Sequence, residues 1–209
     1  VPQGFVPQQP VRSVLIEHAN PYFAFCTVLT RHFNPNVHRT GIESQHIHPT
    51  VKIGHSVHVA ATAYIEEGAQ IGDNCILANS VQVAGHVTVG DFTILGGAAL
   101  VHQFVKIGKH AMISGGSLVR KDVPPYTKAA REPLSYEGVN SIGLRRRGFS
   151  NEKISEIQDI YRTLFVKYSN TAKATKIIET EFAPTPERDE IMSFINESDR
   201  GVMKGYGTK

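Results

Sequence analysis

The side chains of this sequence that could carry out chemistry are mostly imidazoles and guanidinium groups. Ten histidines occur among the 209 residues, including His86 next to Gly85 and His102 next to Gln103. Imidazole is the side chain that most often transfers protons near neutral pH. Three consecutive arginines occupy 145–147, and a guanidinium can bind two oxygens of a phosphate or carboxylate at once. These residue types fit proton transfer and anion binding, although three adjacent arginines are more often a solvated surface.

The overall composition is that of an ordinary globular chain with one or two domains. Hydrophobic residues make up 41% and charged residues 20%, and the formal net charge of +3 is too small to indicate nucleic-acid binding. Only two cysteines occur, Cys26 and Cys75, which disfavours a disulfide framework and favours a reducing compartment. No segment has the ~18 consecutive apolar residues of a membrane-spanning helix, and no signal-peptide pattern opens the sequence. We therefore expect a cytoplasmic protein.

A six-residue repeat runs through the middle of the chain and must position these side chains. One aliphatic residue stands at every sixth position, namely Ile47, Ile53, Val59, Ile65, Ile71, Leu77, Val83, Val89, Leu95, Val101, Ile107, Ile113 and Val119. Four residues after each comes a small or β-branched residue, in the series Val51, Val57, Ala63, Ala69, Cys75, Val81, Val87, Thr93, Ala99, Val105, Ala111, Ser117 and Val123. An α-helix repeats near 3.6 residues and an alternating strand near 2, so neither explains this period.

The period predicts a parallel β-helix over residues 47–124. Six residues suit one short strand followed by a sharp corner, and three such units close one triangular coil. Successive coils stack about 4.8 Å apart, as neighbouring strands do in any sheet. The aliphatic residues fill the interior, and the small residues sit where the chain turns inward at the corners. The pattern resembles the hexapeptide-repeat class of proteins, whose members wind left-handed, so a left-handed parallel β-helix is expected.

The segments on either side of the repeat predict helices. Asn20 is a suitable cap for a short amphipathic helix, with Pro21 at its first position. Downstream, Ser150 caps a second helix, and two more follow at about 171–182 and 186–198. The predicted parts are an amino-terminal tail and short helix in 1–46, the β-helix in 47–124, and a loop with a helical domain in 125–209. The fold class is thus an all-β solenoid with added helices.

The second half of the chain contains motifs that identify a family. From about 73 to 206 the chain closely resembles the UDP-N-acetylglucosamine O-acyltransferases, which open lipid A biosynthesis. The motifs are CILANSVQVAGHVTVGDF at 75–92, VHQFVKIGKHAMI at 101–113, KDVPPY at 121–126, GVNSIGLRRRGFS at 138–150 and the terminal SDRGVMKGY. The resemblance implies an acyltransferase that moves a (3-hydroxy)acyl chain from acyl carrier protein to a UDP-glucosamine derivative.

The segment before these motifs, about 11–74, is similar to another family of the same pathway. NPYFAFCTVLTRHF at 20–33 and IHPTVKIGHSVHVAATAYIEEGAQIGDN at 47–74 are similar to the UDP-3-O-acylglucosamine N-acyltransferases. The change falls near GDN at 72–74, a motif that both families use. We therefore hypothesise that the chain is a hybrid of two such enzymes, or an internally deleted one, joined in the register of the repeat.

The O-acyltransferase resemblance places the catalytic base at a position where this chain lacks a histidine. The family's base is a histidine in an AHxAHD-type coil, which falls on AYIEEG at 63–68. Tyr64 stands at the first histidine of that coil and Glu67 at the base. A solvated carboxylate is a weak base near neutral pH, so the replacement predicts impaired activity. His58, in the motif HSVHVA, echoes the first family histidine one repeat earlier and is a second candidate base.

The other functional positions of the family are present. Gly85 matches the glycine whose backbone N–H serves the oxyanion, and His86 matches a histidine that contacts substrate. His102 and Gln103 match a pair of residues that line the sugar-nucleotide groove in the family. Arg146 and Arg147, in the motif RRGF, suit contacts with phosphate or with the carrier protein. The implied site residues are Gly85, His86, His58 and Glu67 as catalytic groups, and His102, Gln103, Arg146 and Arg147 as substrate-binding groups.

The resemblance also implies the partners. A homotrimer is expected, because the family's active site lies between subunits and outward side chains such as Tyr64, Gln82 and Ile94 need partners. The co-substrates are acyl-phosphopantetheine on acyl carrier protein and a UDP-sugar. Neither a resident cofactor nor a metal is implied.

Other functions remain open from the sequence alone. The chain could be a catalytically inactive trimeric remnant, or a coenzyme A-dependent hexapeptide acetyltransferase, although the three-helix domain disfavours the latter. A zinc protein similar to the γ-carbonic anhydrases would need about three convergent histidines. His86, His102 and His110 stand at different positions within the hexapeptide, so this alternative is the least favoured. Transfer to an amine rather than a hydroxyl also stays open.

Overall fold

The hexapeptides fold into two-residue strands. The computed structural model describes residues 41–168 and 170–205, and in this part of the chain the strands follow one another at nearly constant intervals. Strands β1 to β14 are Gly41–Ile42, His46–Ile47, Lys52–Ile53, His58–Val59, Tyr64–Ile65, Gln70–Ile71, Ile76–Leu77, Gln82–Val83, Thr88–Val89, Ile94–Leu95, Leu100–Val101, Lys106–Ile107, Met112–Ile113 and Leu118–Val119. The predicted amino-terminal helix at Asn20 lies outside the described residues.

Strands three apart in the sequence pair in parallel, and three sheets form the sides of a triangular prism. The first sheet contains β1, β4, β7, β10 and β13, the second β2, β5, β8, β11 and β14, and the third β3, β6, β9 and β12. Paired residues are one coil apart, as Ile94 is from Ile76 on one side and Met112 on the other. The predicted parallel β-helix of hexapeptide repeats is confirmed.

The predicted aliphatic series fills the prism. From Val59 to Val119 each of its members is at most 3% exposed, while Ile47 and Ile53, in the first coils, are partly buried. The small residues that follow are buried from Val57 to Val123. Thr93 is the polar exception among β-branched members, and its hydroxyl donates to the Gly108 carbonyl oxygen at 3.0 Å, so its burial leaves no unpaired donor.

The residues between strands form the corners of the prism. The histidine corner, between the second and third sheets, contains residues 66–69, 84–87 and 102–105. The aromatic corner, between the third and first sheets, contains residues 72–75, 90–93 and 108–111. One residue of each corner turn has a left-handed backbone, for example His86 with φ 57° and Phe92 with φ 59°. This conformation reverses the chain within four residues.

The solenoid begins one strand earlier than the predicted boundary at 47. Gly41 and Ile42 of β1 pair with His58 and Val59 of β4, a separation of seventeen rather than eighteen residues. The turn between β1 and β2 is one residue shorter than the others, and Ser44 takes the inward corner position in it. Ser44 is buried, and its hydroxyl donates to the Ala63 carbonyl oxygen at 2.6 Å. A five-residue step breaks the six-residue period, which is why the sequence pattern did not reveal this strand.

The carboxyl-terminal part contains the predicted helices and elements that were not predicted. The helices are α1 (Ser141–Arg146), which was not predicted, and the three predicted ones, α2 (Asn151–Arg162), α3 (Thr171–Glu181) and α4 (Pro186–Asn196). A π-helical turn, Thr163–Lys167, continues α2. The additional strands are β15 (Thr127–Ala130), β16 (Ser135–Val139) and β17 (Lys204–Gly205). Ser150 caps α2 as predicted, its hydroxyl accepting from the Lys153 N–H at 3.2 Å. Strand β15 extends the first sheet by pairing with β13, so the domain continues the solenoid.

A second hydrophobic core holds the helices together. It contains Tyr126 from the last corner, Leu144 of α1, Ile157 of α2 and Ile178 of α3, all nearly or fully buried. Each such side chain contributes ~1.5–3 kcal/mol through removal from water. Among the described residues, none of the helices has both the length and the apolar character needed to cross a membrane.

Candidate active site

The histidine corner brings together most of the residues that the sequence singled out. A cavity of about 560 Å³ is lined there by His48, Glu66, Glu67, Ala84, Gly85, His86, Gln103 and Phe104. Glu67, Gly85 and Gln103 occupy the same position in three successive coils, so they lie in a column with ~4.8 Å between neighbours. The solenoid thus places four predicted site residues in one cavity: Glu67, Gly85, His86 and Gln103.

The backbone of this corner leaves the N–H of Gly85 without an acceptor among the described residues. The His86 N–H donates to the Glu67 carbonyl oxygen at 2.9 Å, and the Phe104 N–H donates to the Gly85 carbonyl oxygen at 3.1 Å. The Gly85 N–H donates to no acceptor within the described part of the chain. A Cβ on Gly85 would lie 3.3 Å from the Glu67 carbonyl oxygen, so glycine keeps the approach to this N–H open. A free backbone N–H in a cavity can bind an oxyanion.

Two titratable side chains lie beside Gly85: Glu67, at the same position in the preceding coil, and His86, the next residue in the sequence. Their surroundings differ. Glu67 is exposed, and its Cγ lies 3.7 Å from where a Gly85 Cβ would be. His86 is also exposed, but its ring stacks on that of Phe104, with 5.2 Å between centroids and 3° between planes. His86 is therefore the more rigidly held of the two groups.

An apolar groove adjoins the cavity on the outer face of the second sheet. Its volume is about 420 Å³, and it is lined by Tyr64, Glu66, Gln82, Val83, Ala84, Leu100, Val101, His102, Leu118, Val119 and Arg120. Glu66 and Ala84 line both spaces, so the groove and the cavity are neighbours. His102 lies in the groove, with its Nδ1 3.3 Å from Arg200 Nη2, whereas its neighbour Gln103 lies in the cavity.

His58 is placed away from the other candidates. It lies on β4 in the first sheet, the one side of the prism that does not border the histidine corner. The residue is half-buried, and its Nδ1 has no hydrogen-bond partner among the residues that the structure describes. The fold of this chain therefore does not bring His58 to Gly85, because a shift of one repeat moves a side chain to the next side of the prism.

The arginines also lie at another corner. The Arg147 guanidinium stands 5.3 Å from the centre of the Phe92 ring at the aromatic corner, and burial lowers its pKa from the ordinary value. Arg146 is exposed at the end of α1. His110 is stacked between Phe92 and the ring of Tyr126 in this corner. The substrate-binding residues predicted by resemblance therefore lie at two different corners of the prism.

Four residues of the cavity were not predicted. His48, Glu66, Ala84 and Phe104 line it with the predicted groups. Stepping by eighteen residues rather than six would have found them, because His48, Glu66 and Ala84 share one column and Phe104 shares the column of His86. No group of three or more metal-binding side chains is present in residues 41–168 and 170–205.

Comparison with known proteins finds relatives in sequence and in fold. The family model described as UDP-N-acetylglucosamine O-acyltransferase, domain 2, matches residues 122–203, and the bacterial transferase hexapeptide model matches 50–85. The acyl-[acyl-carrier-protein]–UDP-N-acetylglucosamine O-acyltransferase of Aeromonas salmonicida is 48% identical over 172 residues, which are 82% of this chain and 64% of the relative. The carboxyl-terminal part of this chain thus matches the UDP-N-acetylglucosamine O-acyltransferase family, and the similarity to one relative of that name extends over 82% of the chain.

Solved structures of the O-acyltransferase family share the fold. A crystal structure of a UDP-N-acetylglucosamine acyltransferase is 36% identical, with a TM-score of 0.70, and the match covers 76% of this chain and 60% of that one. The UDP-N-acetylglucosamine O-acyltransferase of Moraxella catarrhalis is 32% identical, with a TM-score of 0.62, over 74% of this chain and 60% of that one. The predicted left-handed β-helix is thereby confirmed. The chain spans about a third of the length of other curated relatives that it matches.

Proposed function

We propose that this chain is an acyltransferase of lipid A biosynthesis. It would transfer a (3-hydroxy)acyl chain from acyl carrier protein to a hydroxyl of a UDP-glucosamine derivative such as UDP-N-acetylglucosamine. The observation that carries the proposal is the unused N–H of Gly85, which lies in a polar cavity next to an apolar groove. The polar cavity suits a sugar and the reacting thioester, and the groove suits a hydrocarbon chain.

The reaction needs a proton acceptor and an oxyanion donor at one point. The sugar hydroxyl gives up its proton as its oxygen attacks the thioester carbonyl carbon, and the carbonyl oxygen becomes an oxyanion that the Gly85 N–H would bind. The carbon–sulfur bond then breaks, and the phosphopantetheine sulfur takes the proton. Glu67 and His86 both lie beside Gly85 and could accept that proton. No resident cofactor is required, since the thioester already activates the acyl group.

A homotrimer would join the two corners that one subunit separates. Arg147 and His86 stand at different corners of the same prism, but in a closed trimer the aromatic corner of one subunit can face the histidine corner of the next. Tyr64 and Leu100, which are 44% and 39% exposed on the second sheet, would then be covered. The exposed Arg146 would attract an acidic carrier protein and raise its rate of association.

The proposal is tested by acyl transfer from acyl carrier protein to UDP-N-acetylglucosamine, followed by mass spectrometry of the acylated nucleotide. Product formation by the wild-type chain supports the proposal, and Glu67→His should increase the rate if the carboxylate impairs it. Gly85→Ala should lower kcat roughly 10²-fold, the loss typical of an oxyanion-hole defect. A matched control is Gly97→Ala, because its Cβ would also lie 3.3 Å from a carbonyl oxygen, that of Asn79, at another corner.

The same assay separates the alternatives. Transfer from acetyl-coenzyme A without transfer from acyl carrier protein would replace the proposal by a hexapeptide acetyltransferase. A wild-type chain that neither turns over any donor nor is stabilised against heat by UDP-N-acetylglucosamine would be an inactive remnant. Bound zinc in the purified protein would favour the metal-dependent alternative.

A further inference from the structure

One column of the histidine corner consists of Gly68, His86 and Phe104. The three residues occupy the same position in successive coils and have left-handed backbones, with φ of 68°, 57° and 63°. Residues with a side chain adopt this conformation only at a cost. The middle residue of the column is the one that lies next to Gly85 in the cavity.

Gly68 leaves room for the ring of His86. A Cβ built on Gly68 would lie 2.4 Å from His86 Nδ1 and 2.6 Å from His86 Cε1, far inside van der Waals contact. The imidazole therefore rests against the bare backbone of the coil below it. Any side chain at Gly68 would displace the ring.

Phe104 closes the other side of the ring. It belongs to the coil above His86, its ring lies 3° from parallel to the imidazole, and the centroids are 5.2 Å apart. The residue is 52% exposed, so about half of the hydrophobic gain from burying a phenyl ring is not realised here. Parallel aromatic contacts of this kind stabilise a ring's orientation by ~0.5–1.5 kcal/mol.

A hydrogen bond also anchors the backbone of His86. Its N–H donates to the Glu67 carbonyl oxygen at 2.9 Å, and its neighbour Gly85 presents the unused N–H. A group held between two coils, next to an oxyanion donor, is preorganised for catalysis. An exposed carboxylate such as Glu67 has no comparable restraint.

On the basis of the proposed function, we propose that His86 is the proton acceptor of this site and that Gly68 and Phe104 are positioning residues that hold its ring. The imidazole takes the proton of the sugar hydroxyl as the new carbon–oxygen bond forms. It returns that proton to the sulfur as the carbon–sulfur bond breaks. Charge and protons balance without a further reactant, and the side chain that stands at the family's base position, Glu67, is not needed as the base.

The position of the ring can be tested without turnover. In the chain of residues 1–209 with ¹³C-labelled histidine, the His86 ring protons should carry a ring-current shift from Phe104 in NMR spectra. Phe104→Leu should abolish this shift, Phe104→Tyr should keep it, and Gly68→Ala should move the same resonances. Ser56→Ala, at an exposed position with the same backbone conformation, should leave the His86 resonances unchanged.

The role of the ring is tested by kinetics of the same variants. His86→Asn should lower kcat by ~10²–10⁴-fold, the usual contribution of a general base, and Glu67→Gln should lower it much less. Phe104→Leu should reduce kcat ~10-fold or more with little change in KM, because a misplaced base affects the chemical step. Phe104→Tyr should restore kcat.

The outcomes separate the two proposals. A wild-type chain without acyl transfer would overturn the proposed function, whatever the NMR spectra show. An active wild type in which Glu67→Gln is more damaging than His86→Asn would overturn the assignment of His86 alone. Unchanged His86 resonances in Phe104→Leu, or an unchanged kcat in that variant, would overturn the positioning role even if Gly68→Ala fails to fold.

Discussion

The Tyr161 hydroxyl donates a hydrogen bond to the Pro125 carbonyl oxygen at 2.5 Å, and both groups are buried. This contact joins α2 to the segment in which the solenoid ends. The side chain of Tyr161 is fully enclosed, and burial raises the pKa of its hydroxyl well above the ordinary value. The helical domain is therefore attached to the solenoid through a neutral, paired phenol rather than through apolar contacts alone.

Replacing Tyr161 with Phe should destabilise the protein by ~1–3 kcal/mol. The ring would still pack, but the Pro125 carbonyl oxygen would lose its buried partner, and an unpaired buried acceptor carries this cost. Urea unfolding followed by circular dichroism measures the change in free energy. Tyr64→Phe is the control for loss of a hydroxyl, because Tyr64 is exposed. Equal stability of the two variants would contradict the prediction.

A second prediction concerns the interior of the prism. Leu95 is fully buried between the coils, whereas Thr88 points outward from the third sheet and is exposed. Leu95→Ala should reduce the free energy of unfolding by ~2–5 kcal/mol, because a narrow, closely packed prism has little freedom to collapse into the cavity. Thr88→Ala should change it by less than ~0.5 kcal/mol. Similar losses in both variants would mean that the prism interior is not the main source of stability.

Much of the fold follows from the sequence, because one physical constraint repeats. Every coil must bury an aliphatic side chain on each side of the prism, so Leu95 and its equivalents appear at a fixed interval that no helix or simple strand produces. Strand β1 was not predicted, because the buried corner residue after it is the polar Ser44, which stands one position before the place where the six-residue period expects it. Strands β15 and β16 escaped because an antiparallel pair at the end of a solenoid needs no six-residue period.

The site is less predictable than the fold, because its residues meet across coils. The six-residue period predicts that His58 points outward. It does not tell on which side of the prism His58 lies relative to Gly85, because that requires each strand to be assigned to a sheet. The stacking of His86 on Phe104 depends on the absence of a side chain at Gly68. A single glycine is not a sequence motif, so this role of Gly68 could not be read from the sequence. The placement of Arg147 over Phe92 depends on the path of the chain after the last coil, which the repeat does not specify.

A third prediction follows from His110 in the aromatic corner. Burial, with smaller effects of Arg147 and Lys109, lowers the pKa of His110 from its ordinary 6.5 to about 4, and the ring stays neutral between Phe92 and Tyr126. In the unfolded chain the ring binds a proton at a higher pH than in the folded protein. Above pH ~6.5 the ring is neutral in both states, so His110 causes no loss of stability there. Stability falls as the pH drops from 6.5 towards 4, by on the order of 3 kcal/mol.

The variant His110→Phe should remove this acid sensitivity. Phenylalanine can stack in the same place, and at position 92 it already adopts the same left-handed backbone. The free energy of unfolding, measured between pH 7.5 and 4.5 for both proteins, should show a smaller decrease in the variant. A decrease as steep as that of the wild type would show that other groups cause the acid sensitivity.

The last prediction concerns the thiol of Cys75, which lies inside the prism. Its side chain is fully buried, its Sγ donates to the Gly90 carbonyl oxygen at 3.2 Å, and burial raises its pKa to about 11. Only the thiolate reacts readily with disulfide reagents, so Cys75 should be inert in the folded protein at pH 8. In the variant Cys26→Ser, which leaves Cys75 as the only thiol, labelling by an aromatic disulfide reagent should proceed at the rate of unfolding and become rapid in denaturant. Rapid labelling of the native variant would show that the coil around Cys75 opens without global unfolding.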